Sequence, residues 1–201
     1  MSLTPLELQV RRPVWTAMSD LFLDTETRWS IPYVGRVCAA SGLDDEQLER
    51  VFWCEVFPLA IHNLHDIAGE WAMLNLPEPE LVERAENPRH DRVLELTSAW
   101  MVKRTWEASK IVCRRLRTEP VERALLLQGC WDGFGQPYLE REEAFGTSAP
   151  RAGLVEARLA GVDLLAEWRF YRPVLLSVVS EDEEKGGVAR DAEVERLIAG
   201  V

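Results

Sequence analysis

The chain has 201 residues, 47% of them hydrophobic and 8 of them Trp, enough apolar surface for a packed core, which excludes disorder along most of its length. Its formal net charge of −11 argues against DNA, RNA or an anionic membrane as the main partner and fits either a basic partner or plain solubility. No apolar run approaches the roughly 20 residues that cross a bilayer, and Met1 to Arg12 lacks the apolar stretch of a signal peptide, so a cytoplasmic location is expected.

In chain order, helical signals dominate. Pro13 suits the first turn of a helix, and Val14, Trp15, Met18, Leu21 and Phe22 follow at helical spacing. Thr25 and the stretch from Arg28 to Pro32 then break the pattern. Val34 to Ala40 reads as a short apolar helix closed by Ser41-Gly42, and Asp44 can cap the next helix, with Asp45 and Glu46 suited to its positive end. That helix, over 45–68, is apolar almost all round, from Leu48, Val51 and Phe52 to Ile61, Leu64 and Ile67, and so reads as buried. Pro58 inside it removes a backbone donor and predicts a kink.

Prolines and charges crowd residues 75–90, with room for a short helix from Glu80 to Glu86. A long helix is predicted over 91–117, carrying Val93, Leu96, Trp100, Trp106, Cys113 and Leu116. Thr118-Glu119-Pro120 then stops it and starts another. The helix from Val121 is expected to end near Gly129, with Gly129, Gly133 and Gly135 forming a helix–helix turn; no strand precedes them and no Gly-Lys-Ser/Thr follows, as a phosphate loop would need. Tyr138 to Phe145 reads as helical and 146–153 as a loop. Leu154, Val155, Leu159, Val162 and Leu165 form one apolar face, the run 174–179 is ambiguous between helix and strand, and a final helix covers Ala189 to Ala199.

These elements predict an all-α fold, an irregular multi-helix bundle with room for one short strand pair in the C-terminal half. Residues 1–76 read as an N-terminal helical unit, 77–87 as a proline-rich connection and 88–201 as a C-terminal helical unit, with packing as one domain left open. The four cysteines, Cys38, Cys54, Cys113 and Cys130, stand far apart among apolar neighbours, which predicts buried reduced thiols and no zinc site.

The segments Arg12-Pro-Val-Trp15, Leu21-Phe-Leu-Asp-Thr-Glu26, Glu55-Val56, Pro58, Asn63-Leu64 and Ala68-Gly-Glu-Trp71 together resemble a small bacterial domain family of unknown function, over residues 11–75. The resemblance implies a discrete N-terminal unit and no catalytic residues.

Two polar features stand out. On the buried helix, Glu55, His62 and Asp66 fall on one narrow stripe, with His65 one step round and Glu70 continuing it. His62 and Asp66 could chelate an ion from adjacent turns, with His90 as a candidate third ligand. Glu55 lies two turns away, about 10 Å along a straight axis, so the competing reading is a stripe facing solvent or bonded to Arg11, Arg12 or Arg36. No metal or cofactor is predicted from so incomplete a ligand set.

The second feature is basic. Lys103, Arg104, Lys110, Arg114, Arg115 and Arg117 are opposed over 103–117 only by Glu107, and Lys103, Lys110, Arg114 and Arg117 share a face. They could grip phosphate or nucleic acid with Trp106 stacking, or complement acidic helices of the same molecule. The function expected on balance is a non-enzymatic interaction protein that binds a basic macromolecule through an acidic surface, as toxin-neutralising immunity proteins do. The alternatives are a metal-dependent or acid/base enzyme built on His62, His65 and Asp66, and a regulatory module binding a small ligand between helices.

Overall fold

The structure, a computed structural model, describes residues 2–23, 30–65, 76–135, 149–178 and 187–201. These residues form helices and connecting turns, with no strand among them, so the fold is all-α. The chain divides into two compact units, Met1–Arg114 and Arg115–Val201.

In the first unit, α1 (Pro5–Ser19) opens on a capping box: the Thr4 hydroxyl accepts from the Glu7 amide at 3.3 Å while the Glu7 carboxylate accepts from the Thr4 amide at 2.8 Å. With Pro5 in its first turn, this start lies eight residues before Pro13, which therefore sits inside α1 rather than opening it. A 3₁₀ turn, Asp20–Phe22, ends it, and α2 (Ser30–Ala40) follows. Gly42 closes α2 at φ +74°, a conformation that a Cβ would strain. Asp44 and Gln47 form the next cap, with mutual hydrogen bonds of 2.8 and 2.9 Å, and the chain enters α3 (Asp45–Arg50).

The predicted kink takes a different form. Between α3 and α4 (Phe57–His65) the helix widens into a π-helical segment, Val51–Val56, and the Phe57 amide reaches back five residues to the Phe52 carbonyl. Pro58 is the cause, because its ring would collide with the carbonyl four residues earlier unless that turn is opened. The expectation of burial holds: Leu48, Val51, Phe52, Val56, Phe57, Ala60 and Ile61 are all at most 1% exposed. Phe52 stacks on Trp106 at 4.5 Å and an interplanar angle of 4°, and Phe22 lies 5.7 Å from Phe52 on its other contacts.

Residues 77–87, expected as a connection, carry α5 (Glu78–Glu86), whose Leu81 joins the first unit's core. The division between units falls instead between Arg114 and Arg115, within α7. The long helix predicted over 91–117 is two: α6 (Arg92–Ser98), a 3₁₀ turn Ala99–Met101, and α7 (Lys103–Arg117). The break falls at Thr97 and Ser98. Thr97 Oγ1 bonds the Val93 and Leu94 carbonyls at 3.0 and 3.1 Å, and Ser98 leaves the helical region at φ −131°.

In the second unit, α8 (Val121–Gly135) runs straight through the glycines expected to end it. Gly129 packs closely against α9 (Ala149–Leu159): a Cβ on Gly153 would lie 2.5 Å from the Gly129 carbonyl oxygen. Residues 149–153, expected as loop, are thus the start of a helix. Gly161, at φ +79°, then turns the chain into α10 (Leu164–Leu176), capped by Asp163. The single apolar face predicted across 154–165 is accordingly split, and Leu159 is left exposed at the end of α9. Residues 174–176 are helical, so the candidate strand pair is not supported. Helix α11 (Gly187–Ala199) closes the chain. Trp131 and Tyr171 stack at 5.5 Å in the core of this unit. The expected helix at 138–145 lies outside the described residues.

Candidate functional site

The π-helical turn sets one carboxylate inside the first unit. Glu55 is fully buried; its Oε2 accepts the Trp15 indole N–H at 2.6 Å, and Arg11 Nε approaches its Oε1 at 3.4 Å. Burial raises the carboxyl's pKa, and the Trp15 hydrogen bond and the Arg11 charge offset this only in part. Glu55 therefore takes the arginine-bonded reading of the polar stripe. Of the rest of the stripe, His62, two turns on, is exposed, the backbone of His65 ends α4, and Asp66 and Glu70 lie outside the described residues. His90 bonds Glu95 at 2.8 Å. Among the described residues no three His, Cys, Asp or Glu side chains gather to hold a metal ion.

Trp15, oriented by Glu55, forms part of a cleft of about 250 Å³ between α1 and α5, lined by Arg12, Thr16, Ser19, Leu76, Glu78 and Leu81 as well. Arg12 and Glu78 pair across it, with Nη2 to Oε1 at 2.6 Å and Nε to both oxygens at 3.2 Å. The sequence offers no signal for the pairing of Glu55 with Trp15, since 40 residues separate them.

The basic cluster of α7 is largely turned to internal use. Lys110 is buried, pairs with Glu49, bonds Glu107 at 2.9 Å and lies 5.5 Å from the Trp106 ring centroid. The Trp53 and Trp106 indoles donate to the same Glu49 oxygen at 2.8 and 3.3 Å. Trp106 is itself buried and stacked on Phe52, which leaves no face for a nucleobase. Arg114 bonds Asp45 at 2.8 Å; Arg115 pairs with Glu119 and bonds Glu167 at 2.8 Å. Lys103, Arg104 and Arg117 are exposed. The acidic run 44–49 is spent in the same way, on caps and on Lys110, Arg114 and Arg50.

A surface feature replaces it. Val93, Leu96 and Trp100, which the sequence placed on one long helix over 91–117, are 73%, 85% and 74% exposed. The break at Ser98 sends Val102 and Trp106 into the core and leaves this stripe outside. The four cysteines are buried, as expected, and burial raises the Cys54 and Cys130 thiols.

The second unit holds a further set that no motif announces. Gln128 Oε1, Trp131 Nε1, Glu167 Oε2 and the Tyr171 hydroxyl are buried without a hydrogen-bond partner among the described residues. Burial drives the Tyr171 pKa upward, with the Asp132 charge adding to it.

The described residues form an all-helical fold that carries a small charged cleft between α1 and α5 and large exposed apolar side chains on and just after α6. The model of a domain of unknown function, DUF7079, matches residues 9–124, more than half of the chain, and the protein belongs to that family. The match extends well past the 11–75 of the resemblance, through α7 and into α8. No curated protein and no solved structure matches the chain. No described helix is long and apolar enough to cross a membrane.

Proposed function

We propose that this is a non-enzymatic interaction protein that binds a basic protein partner through the surface of α5 and α6. The observation that carries the reading is the exposure of three large apolar side chains close together along the chain, Val93 and Leu96 of α6 and Trp100 of the turn after it. Single exposed apolar residues are ordinary on a protein surface, but three large ones within two turns form a patch of the kind that interaction sites use, and Trp is enriched where binding energy concentrates. Charge supports the sign of the partner. Between 78 and 95 stand six carboxylates, Glu78, Glu80, Glu83, Glu86, Asp91 and Glu95, against Arg84, Arg89 and Arg92. Glu80 and Glu83 are exposed and available for steering. Toxin neutralisation by an immunity protein is one form that this mode of action takes.

The test is capture from the native cell extract with the wild-type chain, Leu96→Glu and Glu80→Lys/Glu83→Lys. The reading expects a basic protein retained by the wild type, lost with Leu96→Glu and weakened by the double charge reversal more at low than at high salt. Retention that ignores both variants contradicts it. So does a wild-type dimer, seen by light scattering, that Leu96→Glu dissociates, because the stripe would then be covered by a second copy.

A further inference from the structure

The cleft between α1 and α5 has a composition that the exposed stripe of α6 does not share. It holds about 250 Å³, just below the few hundred Å³ of sites for drug-sized ligands, so it suits a ligand near the size of one amino acid. Its walls are of two kinds. Leu76, Leu81 and the Trp15 ring are apolar, the ring all the more so because its N–H is already committed to Glu55. Arg12 and Glu78 supply one full charge of each sign, side by side and each about half exposed. The Thr16 hydroxyl spends its proton on the Arg12 carbonyl at 3.1 Å, so toward a ligand it can act only as an acceptor.

We propose that this cleft binds a free α-amino acid with an apolar side chain. The ligand carboxylate takes the Arg12 fork, the ligand ammonium takes Glu78, and the side chain lies against Leu76, Leu81 and Trp15. An exposed ion pair contributes little to stability, so opening it costs little, and a zwitterion replaces one pair with two. A simple anion would be drawn to Arg12 but repelled by Glu78 beside it, and a simple cation would meet the reverse. Only a ligand carrying both charges leaves neither side chain uncompensated. Arg12 is suited to the carboxylate because its planar fork already presents Nε and Nη2 to one carboxylate here. The proposal concerns residues other than those of the α6 stripe, and its test needs no protein partner.

The test is calorimetric titration of the full chain with L-leucine, L-leucinamide, 4-methylpentanoate and glycine. Saturable one-to-one binding of leucine is expected, with leucinamide, which lacks the carboxylate, and 4-methylpentanoate, which lacks the ammonium, each weaker by roughly tenfold or more, the loss that follows from one charged hydrogen-bonding partner. Glycine should bind more weakly than leucine, since it offers nothing to the apolar wall. Arg12→Gln and Glu78→Gln should each weaken leucine by a similar factor while leaving the urea unfolding midpoint where it is in the wild type. If leucine, valine, isoleucine, methionine and phenylalanine all give no saturable heat up to roughly ten millimolar, a weak limit on the affinity scale, the proposal is overturned. It is equally overturned if leucine binds but neither variant changes its affinity.

Discussion

Replacing Glu55 by Gln isolates what a buried carboxylate does beside the cleft. The substitution keeps the shape and an acceptor for the Trp15 indole, which lies 2.6 Å from Oε2, and removes only the charge. Because burial outweighs Trp15 and Arg11, the folded-state pKa of Glu55 stands above that of the unfolded chain. Between the two values the native state binds more protons than the unfolded state, so the contribution of Glu55 to stability is fully present below the unfolded pKa and is lost as pH rises through the folded one. Gln does not titrate, and its stability relative to wild type should therefore climb with pH across that window. At neutral pH two effects compete. Losing the charge weakens the indole bond by about 1 kcal/mol, the difference between charged and neutral hydrogen bonds, while the desolvation penalty disappears. Desolvation is the larger cause, so Glu55→Gln should be as stable as wild type at pH 7.5 or better by up to about 1 kcal/mol. Glu55→Leu, which strands the indole N–H, should lose about 1–3 kcal/mol. Urea unfolding at pH 4.5 and 7.5, followed by circular dichroism, reads both. A Gln variant more than about 2 kcal/mol below wild type at pH 7.5, with the gap widening as pH rises, would show that Arg11 holds Glu55 ionised and would refute the reasoning.

Three further outcomes follow from packing. Phe52→Asp should unfold the first unit, since Phe52 is fully buried against Trp106 and Phe22 and the new carboxylate would have no partner; circular dichroism retaining full helix would contradict it. Gly153→Ala should cost about 1–3 kcal/mol, because its Cβ meets the Gly129 carbonyl oxygen at 2.5 Å and backbone cannot turn aside; an unchanged unfolding midpoint would count against the packing of α8 on α9. Tyr171→Phe should raise stability by about 1 kcal/mol, since it removes a buried hydroxyl that has no partner among the described residues. A loss of stability in that variant would reveal a bound water or other group on the hydroxyl.

Local chemistry was legible in the sequence where neighbours decide the outcome. Asp44 capping α3 and the closure of α2 at Gly42 follow from single residues and their spacing, and the apolar circumference of 48–61 sufficed to place that helix inside. Thr4-Pro-Leu-Glu7 carried an equally local signal, the capping box that starts α1 ahead of Pro13. What periodicity could not reveal were features that depend on distant partners. Glu55 looks like one member of a helical stripe until Trp15 covers it, and Lys110 looks like part of a basic face until Glu49 closes on it. Gly129 of α8 resembles part of a turn until Gly153 of α9 packs on it. The α6 stripe was hidden for a further reason: helical spacing continues across Ser98, although the backbone does not.

The claim that the α5 and α6 surface binds a basic protein is tested most directly by hydrogen exchange on the protein alone and in the captured complex. The account predicts slowed amide exchange over 78–101, centred on Leu96 and Trp100, with little change over α8 to α11. Protection confined to residues outside 78–101 would contradict it.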